Sequence, residues 1–124
     1  MILVDKEQMR RFVDALAKPA QELGAQYGVD PQWIMQEAAQ RTAFGKTTIH
    51  NNWFNLEGVG DTGCNLHLRV IRTGDVAEGG LKTLTRRMAR YSSVRASVRD
   101  FLNRLTTGGN LAYTYSAPMV VEEA

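Results

Sequence analysis

The chain has 124 residues, of which 44% are hydrophobic and 23% are charged, and its formal net charge is +2. This length fits one domain with a single core, and no apolar run approaches the roughly 20 residues that a membrane-spanning helix needs. The single cysteine, Cys64, allows no internal disulfide, and two scattered histidines give no metal signature. The composition predicts an ordinary globular domain without a metal ion or other cofactor.

The first helix is predicted to begin after Asp5, a candidate N-cap, with Gln8 completing a possible capping box. Apolar residues then recur at helical spacing as far as Gly28, a natural helix end. Pro19 interrupts this pattern. Because an interior proline costs about 3 kcal/mol, we expect Pro19 to kink or divide the helix.

The second helix is predicted to begin at the pair Asp30 and Pro31, an N-cap followed by proline in the first turn. It is expected to end near Gly45. Arg41 follows Ile34 by seven residues, or two helical turns, so the two side chains share a similar face. The end of this helix, at Arg41, is therefore predicted to face the region that Ile34 helps to bury.

A small β lobe is predicted in the middle of the chain. Residues 49–63 are polar, rich in glycine and without a sustained period, which indicates a loop. Apolar and polar residues alternate over 66–70, which predicts a strand. Glu78-Gly79-Gly80 signals a turn, and 81–88 is the candidate returning strand. A cleft between this lobe and the helices is a common place for a ligand.

The last helix is predicted to follow the pair Ser92 and Ser93, since serine is a preferred N-cap. Its apolar residues keep helical spacing up to Leu105, and Gly108 ends it. Positive charge is concentrated in this half of the chain, which suits an anionic polymer such as peptidoglycan, nucleic acid or anionic lipid. A nucleic-acid partner is disfavoured, because nothing resembles a recognition helix after a tight turn. The arginines are Arg69, Arg72, Arg86, Arg87, Arg90, Arg95, Arg99 and Arg104.

Four segments in register resemble the glucosaminidase domains of flagellar rod-associated and phage-borne peptidoglycan hydrolases. They are LAKPAQELGAQYGVDPQWIMQEAAQ, RTAFGKTTI, NNWFNLEG and ARYSSVRASVRDFLNRL. The resemblance implies a mainly α (α+β), lysozyme-like helical domain with a small β-hairpin lobe. It implies a single glucosaminidase-like domain over residues 1–107, followed by a loosely ordered C-terminal tail over 108–124.

The resemblance also implies a groove for strands of alternating N-acetylglucosamine and N-acetylmuramic acid. Trp53 and Phe54 either face this groove or pack the lobe onto the helices, and Asn52 either bonds the sugars or closes a turn. The nearest counterpart of a tyrosine that contributes in the family is Tyr113, about two positions out of register. The candidate substrate-binding residues are Arg41, Phe44, Asn52, Trp53, Phe54, Tyr91 and Tyr113.

The resemblance places the family's catalytic glutamate at Arg41. Glycoside hydrolysis needs a carboxylic acid to protonate the leaving oxygen, and a guanidinium stays charged and gives up no proton. The family's second acid, a glutamate, corresponds to Asp75, whose side chain is shorter by one methylene. Glu37 and Glu57 are candidates for a displaced acid, although Glu37 is expected to pair with Arg41 one turn away.

The leading hypothesis is a glucosaminidase-like domain that engages peptidoglycan glycan strands and has lost or nearly lost hydrolysis. Arg41 would then attract carboxylates of the wall, or pair with Asp75 and close the site. One alternative is an active hydrolase that uses Glu37. Another is a non-catalytic module of an envelope machine or phage particle, with structural proteins as partners.

The expected location is periplasmic or facing the cell wall, or part of a phage particle, with the cytoplasm left open. The N-terminal sequence MILVDKEQMRR has too short an apolar run for the core of a signal peptide. Export by a classical cleaved signal is therefore not expected.

Overall fold

The structure is a computed structural model, and it describes residues 5–72 and 81–113. In chain order, the elements are α1 (Lys6–Tyr27), α2 (Pro31–Thr42), β1 (Cys64–Arg72), β2 (Leu81–Ala89) and α3 (Val94–Thr107). In this part of the chain, three helices and one two-stranded sheet confirm the predicted mainly α fold with a small β-hairpin lobe. Within these residues, no helix combines the length and the apolar character that crossing a membrane requires.

Helix α1 begins and ends as predicted, but it does not break at Pro19. The Asp5 side chain accepts a hydrogen bond from the Gln8 backbone N–H at 2.7 Å, and Gly28 closes the helix with a φ of 71°. Buried residues of α1 lie on both sides of Pro19, among them Leu16 and Leu23, each 0% exposed. Burial of this continuous stripe against the other helices outweighs the cost of the proline.

Helix α2 has the predicted start and ends slightly earlier than predicted. Asp30 accepts from the backbone N–H of Gln32 at 2.9 Å, with Pro31 in the first turn. The C-cap is Ala43, two residues before the expected end near Gly45. The following residues continue as turns rather than as helix.

The β lobe is an antiparallel hairpin in which Cys64 pairs with Ala89 and Arg72 pairs with Leu81. The predicted strands over 66–70 and 81–88 are thus confirmed, and each extends further than predicted. The predicted turn at Glu78-Gly79-Gly80 lies outside the described residues. Helix α3 begins after Ser93, which accepts from the Ala96 N–H at 3.0 Å, and Gly108 is its C-cap.

The core lies among the three helices and takes in two residues of the loop before β1, Phe54 and Leu56. Asn52, only 1% exposed, fixes this loop. Its side chain accepts from the Leu56 N–H and donates to the carbonyls of Leu56 and Ala89, at 2.9, 2.9 and 3.0 Å. One buried asparagine therefore attaches the end of β2 to the helical body.

Candidate functional site

The candidate site is built around Arg41 in the last turn of α2, where the side chain is only 11% exposed. Its Nη1 donates to the Leu111 carbonyl at 2.7 Å, and its Nε donates to Glu37 Oε1 at 3.4 Å. The predicted pairing of Glu37 with Arg41 is confirmed. The guanidinium is thus held by the protein on two sides.

Two aromatic rings complete the surroundings of Arg41. Its Cζ lies 5.3 Å from the ring centroid of Phe101 and 4.3 Å from that of Tyr113. A guanidinium over an aromatic face is attracted by the negative face of the ring. Tyr113 was placed only approximately from the sequence, and the structure puts it in direct contact with Arg41.

The chain after α3 returns to this site and is fastened there. The Ala112 carbonyl accepts from the Glu57 N–H at 3.2 Å, and Tyr113 forms a bridge with Leu56. Arg104 Nη1 donates to the carbonyls of Asn110 and Glu57 at 2.8 and 2.9 Å. We define residues 109–113 as the return segment. The loosely ordered tail stays a prediction, because only its first residues, to 113, are described.

A turn of left-handed residues follows α2, with φ of 51° at Ala43, 57° at Phe44 and 88° at Gly45. Such residues cost on the order of 1–3 kcal/mol each when they are not glycine, so the turn needs support. The Gln8 side chain donates to the Phe44 carbonyl at 2.6 Å. The fully buried Asn55 donates to the Arg41 carbonyl at 2.7 Å. No pattern in the sequence indicates this role of Asn55.

The aromatic residues after Arg41 pack mainly against the helices. Phe44 and Trp53 contact Phe12 of α1, with ring centroids 5.4 and 6.2 Å apart. Phe54 is 0% exposed and stacks on Phe101 at 4.1 Å. Phe54 therefore packs in the core, whereas the equally buried Asn52 fixes the loop by its hydrogen bonds, and neither side chain is exposed to a groove.

A separate cleft of about 430 Å³ lies between α3 and the loop at 59–61, with Tyr91 in its lining. Tyr91 is 3% exposed, and its hydroxyl donates to Asp100 Oδ2 at 2.6 Å. Burial, followed by the hydrogen bond to Asp100, raises the pKa of Tyr91. Of the predicted substrate-binding residues, Tyr91 thus lies at this cleft rather than with Arg41.

Of Glu37 and Asp75, the two carboxylates predicted as catalytic groups, only Glu37 is among the described residues. The Glu37 side chain is 23% exposed and engaged with Arg41, whereas Asp75 lies outside the described residues. In the part of the chain that the structure describes, no three His, Cys, Asp or Glu side chains come together to hold a metal ion. Arg41 is contacted by two aromatic rings, a backbone carbonyl and one paired carboxylate.

Comparison with solved structures finds the same fold in an autolysin and in two hydrolases. The catalytic domain of the autolysin Auto from Listeria monocytogenes superposes with a TM-score of 0.65 at 17% identity, over 83% of this chain and 59% of that one. A peptidoglycan hydrolase mutant from Sphingomonas sp. A1 gives 0.61 at 23%, over 77% and 65%. A C-terminally truncated glycoside hydrolase domain of FlgJ from Salmonella typhimurium gives 0.61 at 20%, over 79% and 73%.

The chain thus spans less than two thirds of the Listeria and Sphingomonas chains that it matches. No curated protein matches the sequence. The model of the Glucosaminidase family, described as mannosyl-glycoprotein endo-beta-N-acetylglucosaminidase, matches residues 17–123. Because this match covers most of the chain and agrees with the fold, the chain belongs to the Glucosaminidase family.

Proposed function

We propose that this chain engages peptidoglycan glycan strands and has lost, or nearly lost, glycoside hydrolysis. The proposal depends on one observation: the guanidinium of Arg41 is held in place at the end of α2, where the family resemblance puts the catalytic acid. Structural neighbours described as an autolysin and as a peptidoglycan hydrolase favour the cell wall as the substrate.

The chemistry at Arg41 argues against proton donation. Leaving-group protonation needs a group that holds a proton near neutral pH and releases it in the transition state. A guanidinium does not release its proton in proteins. Glu37 is the nearest carboxylate along α2. It accepts from Arg41 in an ion pair, so it is not a free acid that could protonate a substrate.

In this proposal, Arg41 contributes less to wall binding than its charge alone suggests. Arg41 already donates to Leu111 and Glu37, so a substrate carboxylate would have to compete for it. Arg86 and Arg87 of β2 are exposed, and they suit the carboxylates of an anionic polymer. This substrate implies a location facing the periplasm or cell wall, or in a phage particle.

The test is release of reducing sugar from purified peptidoglycan by the wild type, Arg41→Glu and Arg41→Gln. We expect no turnover by the wild type or by Arg41→Gln, and measurable turnover by Arg41→Glu if the rest of the groove is intact. Robust wild-type turnover that is abolished by Glu37→Gln would show an active hydrolase and overturn the loss of activity.

Retention on insoluble cell wall tests the binding half of the proposal. We expect the wild type to sediment with the wall at low salt and to be released as salt screens the charges. The double variant Arg86→Gln/Arg87→Gln is expected to bind more weakly than the matched double variant Arg10→Gln/Arg11→Gln on α1. No retention of the wild type at low salt would favour a structural module of an envelope machine or phage particle.

A further inference from the structure

The cleft between α3 and the loop at 59–61 is separate from the surroundings of Arg41. On α3 it is lined by Ala96, Arg99, Asp100 and Asn103, residues that share one face at helical spacing. Phe101, which contacts Arg41, points from a different face of the same helix. The volume of about 430 Å³ is within the range of sites for small ligands.

The carboxylates in this cleft already have donors. Asp61 accepts from the Ser92 N–H at 3.0 Å and from the Ser92 hydroxyl at 2.5 Å. The hydroxyl of Ser92 lowers the pKa of Asp61. Asp100 accepts from the Tyr91 hydroxyl at 2.6 Å and pairs with Arg104 at 3.1 Å. Asp61 is exposed and keeps further lone pairs for a ligand.

The hydrogen-bond donors of the cleft, in contrast to its carboxylates, have capacity left for a ligand. Arg99 is exposed, and no residue within 5–72 and 81–113 accepts a hydrogen bond from its guanidinium. Asn103 lies one turn further along α3 and accepts from the Tyr27 hydroxyl at 2.5 Å. That bond engages the amide oxygen of Asn103 and leaves its two N–H groups to donate. Arg99 and Asn103 therefore form a pair of donors suited to a carboxylate.

We propose that this cleft binds a short peptide segment that carries both a free carboxylate and a free ammonium group. The carboxylate contacts Arg99 and Asn103, and the ammonium contacts Asp61 on the facing loop. In a cell wall, this chemistry belongs to the stem peptide with its diamino acid. The identification of the wall stem peptide as the natural ligand therefore rests on the proposed function, whereas the predicted binding of an isolated peptide does not.

The lining favours a charged peptide over a neutral sugar. Tyr91 is the one aromatic residue that lines the cleft among the described residues, and at 3% exposure it offers almost no ring face. Recognition here thus depends on charge and hydrogen bonds rather than on stacking.

An NMR titration of the isotope-labelled chain with the tripeptide L-alanyl-γ-D-glutamyl-L-lysine tests the site. We expect saturable shifts at the amides of Gly60, Ala96 and Asn103. Loss of a charge-assisted contact in Arg99→Gln is expected to weaken binding at least about tenfold. Arg95→Gln is the matched control, because Arg95 lies one turn earlier on α3 and pairs with Glu22 outside the cleft.

Two comparison ligands sharpen the outcome. The tripeptide acetylated on both amines is expected to bind more weakly, because it no longer offers an ammonium to Asp61, and N-acetylglucosamine is expected to leave the cleft amides unshifted. The proposal is overturned if no saturable shift appears in the cleft, or if Arg99→Gln and Arg95→Gln weaken binding equally. Wall retention without tripeptide binding would contradict this site alone, and tripeptide binding without wall retention would contradict the proposed function alone.

Discussion

At the scale of single residues, Arg41 joins three parts of the molecule. It belongs to α2, its guanidinium lies over Phe101 of α3, and it donates to Leu111 in the return segment. A charged group that is 11% exposed is stable only when its donors are satisfied. Arg41 therefore has a structural role of its own in this chain.

Arg41→Gln is expected to lower the free energy of unfolding by about 2–3 kcal/mol. The shorter amide no longer reaches Leu111, which leaves that carbonyl without its donor, and it leaves Glu37 without its ion pair. Urea unfolding measures the change. Arg10→Gln is the control, because Arg10 is 61% exposed and pairs only with surface acids, so a loss under about 1 kcal/mol is expected. Equal losses would contradict the structural role of Arg41.

The sequence predicted the ion pair of Arg41 with Glu37 from their spacing on one helix. It did not predict the hydrogen bond from Arg41 to the Leu111 carbonyl, and it did not decide that Phe54 packs in the core. These contacts join residues far apart in the chain, such as Arg41 and Leu111, and no local pattern encodes which loop returns to which helix. The two readings of Phe54, groove or packing, were separable only once its burial was known.

At the scale of elements, α1 shows tertiary packing overriding a local signal. Pro19 has no N–H to donate to the carbonyl one turn earlier, yet the helix continues to Tyr27. Hydrophobic periodicity extends across the proline, and Leu16, Ala20 and Leu23, on both sides of it, are buried. The hydrophobic period thus predicted the extent of the helix correctly, whereas the expected division at Pro19 does not occur.

Pro19→Ala is expected to raise the free energy of unfolding by about 1–2 kcal/mol. Restoring the helical hydrogen bond and removing the ring clash is worth about 3 kcal/mol, and greater freedom of the unfolded chain offsets about 1 kcal/mol of it. Urea unfolding again measures the change, with Lys18→Ala as control, since Lys18 is 81% exposed. A less stable Pro19→Ala would mean that packing of the proline ring outweighs the lost hydrogen bond.

At the scale of the whole molecule, the β lobe and the helical body are joined through buried polar groups as well as apolar contacts. Asn52 attaches the loop to the end of β2, and Tyr91, two residues after that strand, is anchored to Asp100 of α3. Order and type of these elements followed from the sequence. Their attachment did not, because it depends on which buried amide or hydroxyl finds which partner.

The hydrogen bond between Tyr91 and Asp100 makes the stability of this attachment depend on alkaline pH. Because burial and Asp100 raise the pKa of Tyr91, the folded state keeps the phenol protonated at a pH where the unfolded chain has lost that proton. The stabilisation is fully present below the unfolded pKa of about 10. It is lost progressively as the pH rises above that value toward the folded pKa.

We therefore expect the free energy of unfolding of the wild type to fall more steeply between about pH 9 and about pH 11 than that of Tyr91→Phe, which has no phenol to titrate. Urea unfolding at several pH values across this range measures both slopes. Asp100→Asn keeps the phenol but removes the carboxylate, so its slope is expected to lie between the other two. Equal slopes for the wild type and Tyr91→Phe would show that the phenol does not link alkaline pH to stability, and that other groups set the alkaline limit of the fold.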